Sequence, residues 1–114
     1  MSQKTRRRAT ARQHFAPIFA ALGDETRLAI VARLSTGQAC SIAELTQGTR
    51  LTRQAVTKHL RVLEEAKIVR SARAGRESLF ELDPAPIRDV QEYAHVISAH
   101  WDSALARLRA MVEK

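Results

Sequence analysis

The sequence predicts a mainly α-helical domain with one small β-hairpin, in the order helix, helix, short helix, helix, hairpin, long helix. Three observations carry that prediction. Apolar residues recur at spacings of three, four and seven over most of the 114 residues, the signature of one buried face on a helix. Small polar residues or glycines punctuate each such run, as helix caps do. Only between about residues 68 and 82 does the period fall towards two, the strand value.

Residues 1–11 lack apolar periodicity and read as a disordered basic arm. Phe15, Ile18, Phe19 and Leu22 then mark a helix over about 12–22. Gly23 ends it, and Asp24 caps a second helix over about 24–35. The buried set expected there is Leu28, Val31, Ala32 and Leu34, with Arg27 and Arg33 outside. Ser41 and Glu44 form the two halves of a capping box for a short helix that stops at Gly48. Thr52 caps the next, in which Val56, Leu60 and Leu63 follow at i, i+4 and i+7, to about Ala66.

Ile68-Val69 opens a strand, and Gly75 sits in Arg73-Ala74-Gly75-Arg76 where a hairpin wants a positive φ. Ser78, Phe80 and Leu82 alternate on the return strand. Pro84 and Pro86 end the sheet and open a last helix over about 86–112, since proline is tolerated in a helix's first turn. Its apolar stripe includes Val90, Ala94, Ile97, Trp101, Leu105 and Leu108. That stripe is too long for so small a domain to cover, and a partner helix is the simplest way to bury it.

The net charge of +7 is unevenly placed. Residues 1–14 carry Lys4, Arg6, Arg7, Arg8 and Arg12 without an acid. Residues 50–76 carry Arg50, Arg53, Lys58, Arg61, Lys67, Arg70, Arg73 and Arg76 against Glu64 and Glu65 alone. The C-terminal third is mildly acidic. Polyanion binding explains this polarity better than solubility does.

Several function classes are disfavoured. The single cysteine, Cys40, excludes an intramolecular disulfide, which suits a reducing cytosol and makes the cytoplasm the expected location. No apolar run approaches the roughly 18 residues of a membrane span, so no membrane partner is expected. A secretory signal is the competing reading of Lys4–Arg8 and Phe15–Leu22, but Pro17 interrupts the run and Gly23-Asp24-Glu25-Thr26 reads as a turn opening a helix. No Gly-rich phosphate loop, Gly-x-Ser-x-Gly elbow, His-Glu-x-x-His or Cys-x-x-Cys occurs, so an enzyme is not expected.

The pair of helices about Ser41–Gly48 and Thr52–Ala66 has helix-turn-helix spacing, in which the second helix enters the major groove of DNA. Arg53, Gln54, Thr57, Lys58 and Arg61 lie on the side away from the core anchors. Arginine and glutamine pair bidentately with guanine and adenine, and lysine suits phosphate. With Arg50, Thr52, and Arg73 and Arg76 at the hairpin tip, these are the candidate contacts to double-stranded DNA. A merely solvated basic face is the bland alternative; it leaves unexplained why the acids gather at Glu64 and Glu65, the far end. RNA binding usually calls for aromatic platforms, and this surface has none.

The segments Ala21-Leu22-Gly23-Asp24-Glu25-Thr26-Arg27-Leu28-Ala29-Ile30 and Leu51-Thr52-Arg53-Gln54-Ala55-Val56-Thr57-Lys58-His59-Leu60-Arg61-Val62-Leu63-Glu64-Glu65-Ala66 resemble the ArsR family of winged helix-turn-helix transcriptional repressors. The resemblance covers about residues 12–112. It implies a homodimer joined through the first and last helices, a recognition helix at about 52–65, a wing at about 68–82, and repression through an inverted repeat. The dimer contacts expected are Phe15, Ile18, Phe19, Val90, Ala94, Ile97, Trp101, Leu105 and Leu108. The chain departs from metal-sensing members. Cys40 stands alone where a Cys-x-Cys motif would be. Asp89, Glu92, His95, His100 and Asp102 do not match the last-helix ligand spacing, although Glu92 and His95 share a face. No metal or cofactor is therefore expected, and the residues identify no inducer. Cys40, just before a helix N-terminus, is a candidate redox switch, with an inert thiol the plainer reading. The alternative function is a winged-helix protein-interaction module that does not read DNA.

Overall fold

The computed structural model describes residues 2–113. Five helices, α1 (Gln3–Leu22), α2 (Glu25–Leu34), α3 (Ile42–Thr46), α4 (Arg53–Glu65) and α5 (Pro84–Val112), accompany a small sheet of β1 (Cys40–Ser41), β2 (Val69–Ala74) and β3 (Glu77–Leu82). The expected helix order and hairpin are present. The two-residue β1 is an addition: it pairs antiparallel with β3, Cys40 opposite Phe80 and Ser41 opposite Leu79. The sheet order is β1-β3-β2, so the hairpin rests on the core along one edge. Two residues are too few for any periodicity, which is why β1 left no mark in the sequence pattern.

The core is aliphatic. Leu34, Val56, Leu60, Leu63, Ile68 and Val69 are its most completely buried side chains, joined by Ile18, Ala21, Ile30, Cys40, Leu45 and Phe80. Two expectations are corrected here. In α2 the inward positions are Ile30 and Leu34, with Val31 at the margin, while Leu28 is 52% exposed and Ala32 is exposed. Apolar residues lie on more than one side of this short helix, and packing selects the side of Ile30 and Leu34. Ile18, expected at a dimer contact, is 5% exposed and belongs to its own chain's core. Cys40 is buried in β1 with its Sγ facing the Gln38 carbonyl.

Helix α1 starts at Gln3, within the segment expected to be a disordered arm; of that arm, Met1 lies outside the described residues. Ser2 caps it by accepting from the Thr5 N–H at 3.2 Å. Residues 3–16 contain neither glycine nor proline and are rich in Ala, Arg and Gln, all good helix formers. Helical propensity therefore carries the backbone beyond the point where apolar periodicity gives out. Pro17 lies inside the helix and costs it the bond to the Gln13 carbonyl.

The end of α4 is a second feature without a clear signal. Lys67 adopts φ 62°, a left-handed conformation that glycine usually supplies. The Lys67 N–H donates to Glu64 O and the Ile68 N–H to Leu63 O, both at 2.9 Å. These are the two bonds of a Schellman motif, and Ile68 and Leu63, both wholly buried, make its apolar contact. Burial of Ile68 thus holds a lysine where its backbone alone would not go. The chain then enters β2, which Asp83 closes by donating its N–H to Ile68 O at 2.8 Å.

Phe15 stacks on Tyr93 with centroids 4.4 Å apart, and Ile87 and Val90 pack on the core. These contacts fix the first half of α5 against α1. Beyond Ile97 the helix runs on uncovered. No helix among the described residues is long and apolar enough to cross a membrane.

The capping box is formed as expected: Ser41 Oγ accepts from the Glu44 N–H and the Glu44 carboxylate accepts from the Ser41 N–H, both at 3.1 Å. The Ser41 N–H is the main reason the Glu44 carboxyl titrates below its usual range. A carboxyl whose pKa is lower folded than unfolded stabilises above its unfolded pKa and loses that contribution as pH falls through the folded value. Glu44→Gln keeps an acceptor but cannot titrate. Wild type should exceed it in stability most at neutral pH, and the gap should shrink below about pH 4. Denaturant titrations of both proteins from pH 7 to pH 3 check this; a constant gap would refute the assigned role.

Candidate nucleic-acid interface

The candidate interface is built on one helix with two chemistries. Val56, Leu60 and Leu63 fix one face of α4 in the core. The 3.6-residue period then turns Arg53, Gln54, Lys58 and Arg61 outward, and all four are exposed. Arg53, Gln54, Thr57 and Lys58 line one shallow concavity with Ile42 of α3. Ile42 escaped the sequence reading because its apolar character marked it for the core, where it is only half-buried. Thr57 donates its hydroxyl to Arg53 O at 2.7 Å, so its methyl and the oxygen's remaining lone pair are what it presents.

The helix is set by its caps and by the turn before it. Thr52 Oγ1 accepts from the Ala55 N–H at 3.1 Å. Thr49 hydrogen-bonds to Thr46 O and receives the Leu51 N–H, giving the α3–α4 turn its shape. Gly48 takes φ 82° at the end of α3, a conformation that costs other residues energy. Arg50 is exposed on this turn. Arg33 of α2 donates to Glu44 O at 2.7 Å, tying α2 to α3.

At the hairpin, Gly75 takes φ 65° and Ala74 pairs with Glu77. Arg73 and Arg76 flank this turn and are exposed. Arg70, on the same strand as Arg73, behaves differently. It donates to Glu81 at 2.8 Å, with Asp83 at 4.0 Å, and the Glu81 hydrogen bond is the main reason its pKa is raised. Ser71 donates to Glu64 at 3.0 Å, joining β2 to the last turn of α4. Glu64, Glu81 and Asp83 are thus engaged with the hairpin's base. Among the described residues, no ion pair reaches Arg50, Arg53, Lys58, Arg61, Arg73 or Arg76.

Two residues act otherwise than the linear pattern suggested. Arg27, expected on the outside of α2, is half-buried and donates to Ala21 O at 2.6 Å. His59, singled out by no local pattern, is half-buried on the flank of α4 with its Nδ1 at 3.2 Å from the Arg27 guanidinium. The Asp24-x-x-Arg27 spacing was visible, but a partner 32 residues away was not. Elsewhere His14 stands 4.0 Å from Asp89, and among the described residues no group of three or more His, Cys, Asp or Glu side chains could hold a metal ion.

Comparison with known proteins agrees with this arrangement. A helix-turn-helix domain family matches residues 22–72. An HTH-type transcriptional regulator of Mycobacterium tuberculosis is 42% identical over 93 residues, covering 82% of this chain and 83% of that protein. An uncharacterized HTH-type transcriptional regulator of Bacillus subtilis is 38% identical over 79 residues, covering 64% of this chain and 86% of that one. Among solved structures, the ArsR-like transcriptional regulator from Rhodococcus sp. RHA1 superposes with a TM-score of 0.75 at 32% identity, over 87% of this chain and 92% of that one.

The Thr52 cap can be tested by itself. Thr52→Ala removes the acceptor for the Ala55 N–H and should cost about 1 kcal/mol of folding stability. Urea unfolding measures it, with Thr52→Ser, which keeps the oxygen, remaining close to wild type. Equal losses in both variants would remove the cap from the account.

Proposed function

Because the chain belongs to the ArsR-like family of winged helix-turn-helix transcriptional regulators, which are DNA-binding proteins and not enzymes, we propose that it is a homodimeric repressor. It inserts α4 into the major groove at each half of an inverted-repeat operator. One observation carries this reading: α4 has a wholly buried apolar face and an opposite basic face whose cations have no ion-pair partner among the described residues. A cation kept for the protein's own fold is held as Arg70 is, by neighbouring carboxylates, or as Arg27 and Arg33 are, by backbone carbonyls.

The residues divide by role. Arg53 and Gln54, in the first turn of α4, read base edges, where a bidentate pair discriminates by about 1–3 kcal/mol. Thr57 lines the same concavity and offers its methyl. Lys58, Arg61 and Arg50 hold phosphates. Thr52 opens the helix whose N-terminal N–H groups attract a further phosphate. Arg73 and Arg76 bring the hairpin tip to the backbone or the minor groove. Recognition at a two-fold operator requires two copies, and the surface for the second is the stripe on α5. Ile97, Trp101, Leu105 and Leu108 are exposed, Trp101 by 64%, as are Phe19 of α1 and Ala94. Phe15 and Val90 are half-buried at its inner edge. Aromatic anchors carry much of the energy in such contacts.

Two outcomes test this. Selection from random-sequence duplexes should yield an inverted repeat, bound with steep salt dependence because phosphate contacts release counterions. Arg53→Ala and Gln54→Ala should relax selection at single positions, while Arg73→Ala and Arg76→Ala should weaken binding to all duplexes alike. Identical behaviour of the two classes would refute the division of roles. Second, sedimentation should give about twice the 12.7 kDa chain mass without DNA, and Trp101→Glu should give monomers that lose operator affinity. A wild-type monomer would instead favour a protein-interaction module.

A further inference from the structure

We infer that Arg27 and His59 form a joint through which the end of α1 sets the rotation of α4, making them positioning residues for base recognition. The inference rests on α4 being the reading helix. Arg27 spends its guanidinium on two elements at once. Its Nε donates to Ala21 O at 2.6 Å and its Nη2 reaches Ala20 O at 3.5 Å, both carbonyls in the last turn of α1. Ala20 O also accepts the N–H of the C-cap Gly23 at 3.2 Å; the partial negative charge at this end of the helix suits a cation. The remaining Nη1 stands 3.2 Å from His59 Nδ1 on α4.

Chemistry fixes the direction of that last bond. A guanidinium only donates, so His59 Nδ1 accepts and the ring proton lies on Nε2. Asp24 Oδ2 is 3.7 Å from the same Nδ1, too far for a hydrogen bond. Asp24 serves α2 instead, accepting the Arg27 backbone N–H at 2.9 Å, which is the main reason its carboxyl titrates below the usual range. Asp24 thus fixes the Arg27 backbone at the start of α2, while the guanidinium is held by the α1 carbonyls.

The joint supplies what the core cannot. Val56, Leu60 and Leu63 bury one face of α4, but hydrophobic contact is non-directional. It sets how deep the helix lies and only loosely how far it is turned about its axis. Side-chain tips stand roughly 5–6 Å from that axis, so a 10° turn moves them by about 1 Å. Contacts to base edges tolerate about half that. His59 is bound on the flank of the helix, about 100° round from Lys58 and next to the buried stripe, where a directional bond opposes such a turn. Phosphate contacts through long, flexible cations tolerate the same displacement.

The joint should therefore affect sequence discrimination more than overall affinity. The test uses the full-length protein, the duplex it selects from random sequence, and a scrambled duplex of equal length. His59→Leu keeps bulk and helical propensity but removes the acceptor. It should lower affinity for the selected duplex about tenfold and for the scrambled one less than twofold. His59→Asn, whose Oδ1 can stand where Nδ1 does, should recover most of the ratio. Arg27→Gln combined with His59→Leu should lose no more discrimination than Arg27→Gln alone. Melting curves for each variant place the measurements at a temperature where all are folded. If Leu and Asn variants discriminate alike, or if the two losses multiply in the double variant, the joint is overturned. A wild-type protein that selects no sequence overturns the reading role of α4 and this inference with it.

Discussion

Burial of Val56, Leu60 and Leu63 along one stripe of α4 is the constraint that the rest of the molecule answers to. A largely buried valine or leucine contributes about 1.5–3 kcal/mol, so three on one helix outweigh any local preference for a different orientation. Once that stripe is inside, helical geometry leaves no choice about what is outside. Leu34 of α2, Leu45 of α3, Ile68 and Val69 at the start of the hairpin and Phe80 of β3 share the same core. The elements that hold α4 in place are therefore recruited by its buried face.

The charges follow from this division. Carboxylates near the surface are engaged locally: Glu64 with Ser71, Glu81 and Asp83 with Arg70, Glu44 with the Ser41 N–H, Asp24 with the Arg27 N–H. Each of these bonds secures a cap or a junction between elements. The cations left without an ion pair among the described residues include those on the outer side of α4 and at the hairpin tip, where a polyanion can approach both. The positive potential thus results as much from where the acids are engaged as from how many bases the chain carries.

The two ends of the chain answer a different constraint. A domain of this size has one core, and Phe15, Tyr93, Ile87 and Val90 carry most of its apolar contact with α5. A helix of 29 residues outruns that core, and its distal apolar side chains meet water. Exposed aromatic and aliphatic surface on this scale marks an interaction site in a folded protein. The dimer proposed for this surface would place two α4 helices in a fixed relation, as an inverted repeat demands.

The sequence by itself determined whatever depends on near neighbours. Caps at Ser41 and Thr52, the turn at Gly75, the stripe of α4 and the candidate set from Arg50 to Arg76 could be read directly, because a helix or hairpin brings together residues a few positions apart. Only the tertiary structure decided the remainder. Which side of α2 faces inward depends on packing. Whether Ile18 serves its own core or a partner depends on where α5 lies. The left-handed Lys67, the two-residue β1, the pairing that removes Arg70 from the basic surface and the bond from Arg27 to His59 all join residues whose proximity exists only once the chain is folded. Local periodicity carries no information about such distances; packing and long-range hydrogen bonds set them.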